Sequence, residues 1–584
     1  MGESSETNVD IQQQQQPLED DGPTSWNPVK VFFLMLALGS QYICQMLFIV
    51  GAGVYSRSIA AVVGGAAISS WPSACVVIVP AAFVLPVAQA ADYFGRKWLL
   101  VVPTFVGFIG SIVVAKASTM QMAIVGFALG GVAFGPQPLL HAVASEVMPR
   151  KYRSYAQAAL NTSISIGSML SLVIGGALTE NNPAGFRTYW YICAGIFVVS
   201  TVLLATLYNP APRDLQVLLT LSQKLKSLDW MGYFLFDAGL VLFCLGLSYS
   251  QNPFSWQNAH VVAPFAIGCA ILVALFVYEW KIKKDGLFHH NLFKHRNFVI
   301  TLVGVWIEGF AFMAANVYFP YSMEIIEAGK VSSFRVLLCY TVAFAFLLVA
   351  AFGMGAWIYY TRRVRIQAMV SFIGFLIFFV LMATMHADEP ESHFWGFICF
   401  YGLGLGSCVI TLYTTAQLST PPELISLTSG LLGSIRSVGG SVGVAVHTAI
   451  FTNGLTANLF PKVTAAVVPL GVSQETVAPL IAALQAGNAA ALAKLPGVTG
   501  QVIAAAGLAL KKAYLVGFRN VFICGAAFAF FGIILAFFLI DPKDQFNARI
   551  DAPLEGTDFV RDIEEKRAHE GEHVETIEPR EVTG

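Results

Sequence analysis

Apolar runs of about twenty residues or more, parted by short charged or Gly-containing turns, fill most of the chain. A helix rises ~1.5 Å per residue and a bilayer's hydrocarbon core is ~30 Å thick, so each run can cross a membrane. Inside hydrocarbon the backbone must bond to itself, and continuous runs of this length do so as helices. Fourteen spans can be laid out, at about 29–55, 71–91, 98–116, 120–141, 155–178, 188–208, 230–249, 260–280, 298–321, 333–360, 366–385, 394–415, 424–451 and 514–540. Composition agrees. The 584 residues are 56% hydrophobic and 12% charged, about half the charge of a soluble domain. This is an all-α polytopic membrane protein.

An even number of spans puts both ends on one side. Loops on the side of the 92–97 turn carry sixteen Lys and Arg, from Arg96, Lys97, Arg150, Lys151 and Arg153 through Arg213 and Lys284 to Arg362, Arg363 and Arg365. The opposite loops carry five: Arg57, Lys116, Arg187, Lys330 and Arg335. Positive charge stays cytoplasmic, so both termini are expected there and the Ala/Val/Gly-rich stretch 452–512 is expected outside, as a long loop able to carry surface helices. The polar, acidic residues 1–28, with Gln12 to Gln16 in a row, read as a disordered tail rather than a signal peptide. All nine Cys lie in apolar runs, where Cys acts as a small hydrophobe, so no disulfide is expected. A net charge of −1 gives no field for nucleic acid.

The turn between the second and third spans reads Ala88-Gln-Ala-Ala-Asp92-Tyr-Phe-Gly95-Arg96-Lys97. Its spacing resembles the signature loop of the major facilitator superfamily, Gly-x-x-x-Asp-x-x-Gly-Arg-[Lys/Arg], with Ala88 in place of the first Gly. A partial repeat occurs at Gly355 to Arg363, with Tyr359 at the Asp position and Arg362 at the second Gly. Pro149 and Gly167 have the same separation as Pro422 and Gly440. These matches point to two pseudo-symmetric six-helix halves, 29–208 and 298–540, joined by a 209–297 linker that carries two inserted helices, with a cytoplasmic tail at 541–584. In such repeats the transport site lies near mid-membrane between the halves.

Fourteen spans, together with Leu228-Asp-Trp-Met-Gly232 and Gly185-Phe-Arg187 at span starts, look like the drug:proton antiporters and the fungal trichothecene-efflux and siderophore transporters. The resemblance implies a gating role for Asp92, Gly95, Arg96 and Lys97, with Asp92 facing the start of span 13 near 421–424. Three departures stand beside it. Phe127 occupies the place of the span-4 Arg, span 5 lacks the usual Gly-Pro, and span 1 has no Asp.

Charges inside spans are costly and therefore informative. Glu308, about ten residues into span 9, is the candidate proton carrier, with Arg436 in span 13 as its expected partner and Asp237 in span 7 as a weaker candidate. Gln41, Gln45, Asn161, Trp306, Asn316, Tyr413 and His447 are candidate cavity residues, although a single polar residue in a span is more often a helix–helix hydrogen bond. No Gly-x-x-x-x-Gly-Lys-[Ser/Thr] occurs, and His569-Glu570-Gly-Glu-His573 lies in a polar tail without an apolar face. Neither enzyme activity, nor a metal, nor a cofactor is expected. The expected protein is a monomeric plasma-membrane exporter of an amphipathic toxin, drug or metabolite by proton antiport. A vacuolar or vesicle location, a siderophore-iron importer and a non-transporting sensor are the alternatives.

Overall fold

The computed structural model describes residues 28–65, 68, 71–180, 182–210, 220–249, 256–283, 286–485 and 489–551. The N-terminal tail, Arg213, Lys284 and the His569–His573 motif lie outside the described residues. The longer helices are α1 (Pro28–Val63), α2 (Trp71–Phe94), α3 (Arg96–Ala115), α4 (Met120–Val132), α5 (Gln137–Glu146), α6 (Arg153–Thr179) and α7 (Phe186–Leu207). They continue as α8 (Trp230–Tyr249), α9 (Ala259–Lys281), α10 (Arg296–Ile326), α11 (Ser333–Thr361), α12 (Arg365–Ala383), α13 (Glu391–Leu418), α14 (Ile425–Val467), α15 (Gln474–Gln485) and α16 (Gly500–Phe537). Among the described residues thirteen helices are long and apolar enough to span a membrane, or fourteen with the bent pair α14–α15 taken as one.

The N-terminal half comprises α1–α7 and the C-terminal half α10–α16. They meet chiefly where α2 packs on α14 and α6 on α11, with further contacts of α5 on α14 and α6 on α13. The hairpin α8–α9 packs chiefly on itself and on α2, outside the central seam. The internal repeat reappears as backbone geometry. Gly95 turns the chain with φ 85°, and at the corresponding place Arg362 is the sole non-glycine residue with positive φ among those described, at 51°. An L-residue enters that region at a cost, so Arg362 marks a turn that the fold demands rather than one its residue prefers.

Span 4 is broken. The chain leaves helix at Ala133 and re-enters at Gln137, just after Pro136. Such a break frees carbonyls that hydrocarbon cannot satisfy, and Gln45 Nε2 donates to Ala133 O at 2.9 Å.

The stretch expected as a loop at 452–512 is mostly helical. Helix α14 runs on to Val467, α15 follows after a 117° bend, and α16 begins at Gly500. Val463, Val467, Val477, Leu480, Val502 and Ala506 close a small separate core among these segments. That packing outweighs the helix-breaking residues Pro461, Pro469, Gly471 and Pro479, because tertiary burial overrides local propensity. We call this projection the knob and the opposite end, with the Gly95 turn, the motif end.

Candidate functional site

Helices α10 and α14 touch backbone to backbone. A methyl group at Gly309 would meet Arg436 O at 2.2 Å, and one at Gly439 would meet Trp306 O at 2.2 Å. Small residues are what permit so close an approach between membrane helices. The approach places the two intramembrane charges in register. Arg436 Nε donates to Glu308 Oε2 at 2.6 Å and Arg436 Nη2 to Glu308 Oε1 at 2.9 Å. Such a bidentate fork fixes geometry as well as energy. The Glu308 side chain is 1% exposed and that of Arg436 is 31% exposed, so the guanidinium is the member that faces open space. The ring of Phe312 lies 5.3 Å from the guanidinium carbon. The pair lies within one half rather than reaching across to the other.

Across the seam stands a hydrogen-bonded chain that the sequence reading left out. Gln137 Nε2 donates to the Tyr42 hydroxyl at 2.7 Å, which lies 3.0 Å from His141 Nε2. His141 Nδ1 lies 2.6 Å from Gln157 Oε1. Gln157 Nε2 donates to Ser145 Oγ at 2.7 Å and to Gln417 Oε1 at 3.1 Å, and Gln417 Nε2 donates to Ser429 Oγ at 3.0 Å. An amide oxygen only accepts, so these orientations place the His141 proton on Nδ1 and leave Nε2 to accept from Tyr42. The chain begins on α1 and α5 and ends on α13 and α14, so it stitches the halves together. Tyr413 lays its ring 4.5 Å from that of His141. Both Tyr42 and Tyr413 lie within electrostatic reach of Arg436 and Glu308.

A signal for this chain was available. Gln137, His141 and Ser145 recur every fourth residue, as do Arg153, Gln157 and Asn161. A polar stripe at helical spacing marks a face that packs against something polar.

The remaining candidates scatter. Asn161 Nδ2 caps the Gln157 carbonyl at 2.9 Å, and Asn316 Oδ1 accepts from Tyr340 at 2.9 Å. The Gln41 amide is buried with neither atom hydrogen-bonded. Trp306 stacks on Phe310, and Phe310 lies 4.3 Å from the buried His447 ring. Asp237 sits on the inserted α8, on a different helix pair from Glu308 and Arg436.

At the motif end Arg96 holds both oxygens of the fully buried Glu146 and donates to Ser426 Oγ at 2.5 Å. The Arg96 side chain thus reaches the first turn of α14. Asp92 lies 3.7 Å from Arg96, one helical turn back. Lys97 Nζ donates to Asn209 Oδ1 at 2.5 Å.

Two helical halves, a polar seam between them and a charge pair inside two membrane-length helices define a membrane carrier. The chain belongs to the Major Facilitator Superfamily, whose family model matches residues 34–444. It is similar to the trichothecene efflux pump TRI12 of Fusarium sporotrichioides, at 23% identity over 78% of this chain and 77% of that one. Efflux pump FUS6 of Gibberella moniliformis is 25% identical over 79% of each chain. Citrate exporter 1 of Yarrowia lipolytica is 24% identical over 74% of this chain and 63% of that protein. Among solved structures, the human organic anion transporter MFSD10 superposes with a TM-score of 0.51 at 11% identity, covering 87% of this chain and 98% of that one. These likenesses show the fold and leave the substrate to chemistry.

Proposed function

We propose that this protein is a secondary active transporter that exports an amphipathic small molecule, a toxin, drug or secondary metabolite, from a fungal cell by proton antiport. The single observation that carries the coupling is the Glu308–Arg436 fork. A carrier driven by protons needs a group that holds a proton in one conformation and gives it up in another. Arg436 forks both Glu308 oxygens here, and a shift of α14 against α10 that withdrew the guanidinium would leave the buried side chain without that partner and favour its taking a proton. Removing one partner of a buried pair costs about 3–5 kcal/mol, ample to couple protonation to a helix movement.

The direction rests on the similarity to chains named as exporters. The amphipathic class rests on the mixed walls around the pair. Phe312 and Tyr413 offer aromatic surface, and Tyr42 and Gln137 offer hydrogen bonds. In this reading the motif end faces the cytoplasm of the plasma membrane, the knob faces outside, and a single copy suffices.

Inside-out vesicles with an imposed pH gradient provide the test. Candidate toxins should accumulate when the lumen is acid and stop accumulating when the gradient is collapsed. Accumulation indifferent to the gradient overturns proton antiport. A growth defect confined to iron limitation on deletion would favour siderophore uptake instead.

A further inference from the structure

The segment after α16 does not leave the membrane surface freely. Its first part is fixed to the C-terminal half. Asn297 pairs reciprocally with Ile540, donating to its carbonyl at 2.8 Å and accepting from its amide at 2.9 Å. Asp541 Oδ1 accepts from the amides of Val364 and Arg365 at 2.8 and 3.0 Å, which caps the start of α12.

The chain then crosses the seam. Phe546 is buried in a cluster with Met354, Ile358 and Leu418 of the C-terminal half and Ala158 of the N-terminal half. Beyond it the segment bonds to the N-terminal half. Lys151 N donates to Asn547 O and Arg150 N to Arg549 O, each at 2.9 Å. Arg150 Nη1 reaches Gln545 Oε1 at 2.6 Å. The Asp551 carboxylate, 1% exposed, accepts from Arg150 Nε at 3.1 Å and from Arg150 Nη2 at 2.9 Å, and pairs with the buried Arg153. Within the segment itself Arg549 lies 3.5 Å from Asp551, and its amide donates to Asn547 Oδ1 at 3.2 Å. Arg153 also donates to Gln417 O across the seam at 2.8 Å.

We propose that residues 541–551 form an intramolecular clasp that holds the motif end shut, and that it must release the N-terminal half each time the carrier opens there. The reasoning is mechanical. A segment bound to one half alone would ride with it. This one is bound to both, and the bonds to Arg150, Lys151 and Arg153 lie where the halves must part. Asp551 supplies the only carboxylate found against Arg150 and Arg153 among the described residues, so its loss leaves two cations unmatched within the closed seam. The clasp thus sets the balance between closed and open states at this end, and whatever pulls the tail away favours opening. It needs no knowledge of the substrate and stands apart from the proton-antiport reading.

The experiment uses the full chain in lipid nanodiscs, with its nine cysteines replaced and spin labels on exposed Asn209 and Arg363, one in each half. Pulsed dipolar spectroscopy reads the separation at the motif end. Asp551→Asn should move at least a tenfold larger share of molecules into the long-distance population. Asp551→Glu should restore the short one. Truncation after Gln545 removes the crossing part outright and serves if Asp551→Asn folds poorly. An unchanged distance distribution in both the Asn variant and the truncation, at matched monodispersity, overturns the clasp. A shift that Asp551→Glu fails to reverse also overturns it, because charge pairing would not be the cause.

Discussion

In the proposed antiport, Glu308 can carry a proton only if Arg436 moves away from it. A membrane potential of ~100 mV supplies about 2.3 kcal/mol per proton and one pH unit about 1.4 kcal/mol. Together these sustain a substrate gradient of roughly 500-fold per proton. Glu308→Gln keeps the shape and removes the titration, so it should abolish gradient-driven accumulation while substrate exchange without a gradient stays within about threefold of wild type. Vesicle flux with and without a pH gradient separates the two. If the Gln variant still concentrates substrate, Glu308 is not the coupling group. This pair was legible in the sequence because charge inside a span demands a partner, and spans 9 and 13 each carry one charged residue, Glu308 and Arg436. His141 was not legible in the same way. A lone polar residue in a span has a bland explanation, and only its neighbours every fourth position distinguish it. The motif named the right turn, and beside Asp92 it is Arg96 that bonds to Ser426 in the first turn of α14. Arg96→Gln should remove the bidentate hold on the fully buried Glu146, and lower transport more than Asp92→Asn does. Paired variants at matched surface level, assayed for flux, will rank them. Equal losses would return the motif to a single indivisible unit.

At the scale of the helix, the α10–α14 contact governs the site. Gly309→Ala puts a methyl group 2.2 Å from the Arg436 carbonyl, a clash with backbone that no rotamer relieves. Overpacking of this sort costs about 1–3 kcal/mol. Thermal unfolding in detergent should fall by several degrees, and Arg436 should lose its alignment with Glu308. Gly353→Ala on α11, where a methyl group meets nothing within 4 Å, is the control and should leave stability unchanged. Most spans were legible because length and apolarity suffice for them. The exceptions have a common cause. Residues 452–512 carry four Pro and six Gly that read as loop, and the small core that holds much of the stretch helical joins side chains up to about fifty residues apart, from Val463 to Ala509. No local pattern announces such a core. The break in span 4 was likewise hidden, because its carbonyl is satisfied by Gln45 from another helix.

For the molecule as a whole, the motif end is sealed by the Arg96–Ser426 bond, the Gln157–Gln417 bond and the clasp, so this structure is closed there. Two-fold pseudo-symmetry makes the matching event at the other end a rocking of one half against the other. The topology prediction belongs to this scale. An epitope at the N-terminus should be hidden in intact cells and one at Gly471 accessible; surface labelling of the first reverses the assigned orientation. The knob bears on how such rocking can be followed. Helix α14 is 43 residues long, so at ~1.5 Å per residue it extends about 65 Å, roughly twice the hydrocarbon thickness. Lys511 ties the knob back to α10 through Ile326 O at 2.5 Å, which leaves it fixed to the C-terminal half. It is therefore a pointer mounted on one moving body. A small tilt at mid-membrane becomes a larger sweep at its tip, and a rigid binder seated on α15 would carry that sweep to where single-particle images can register it.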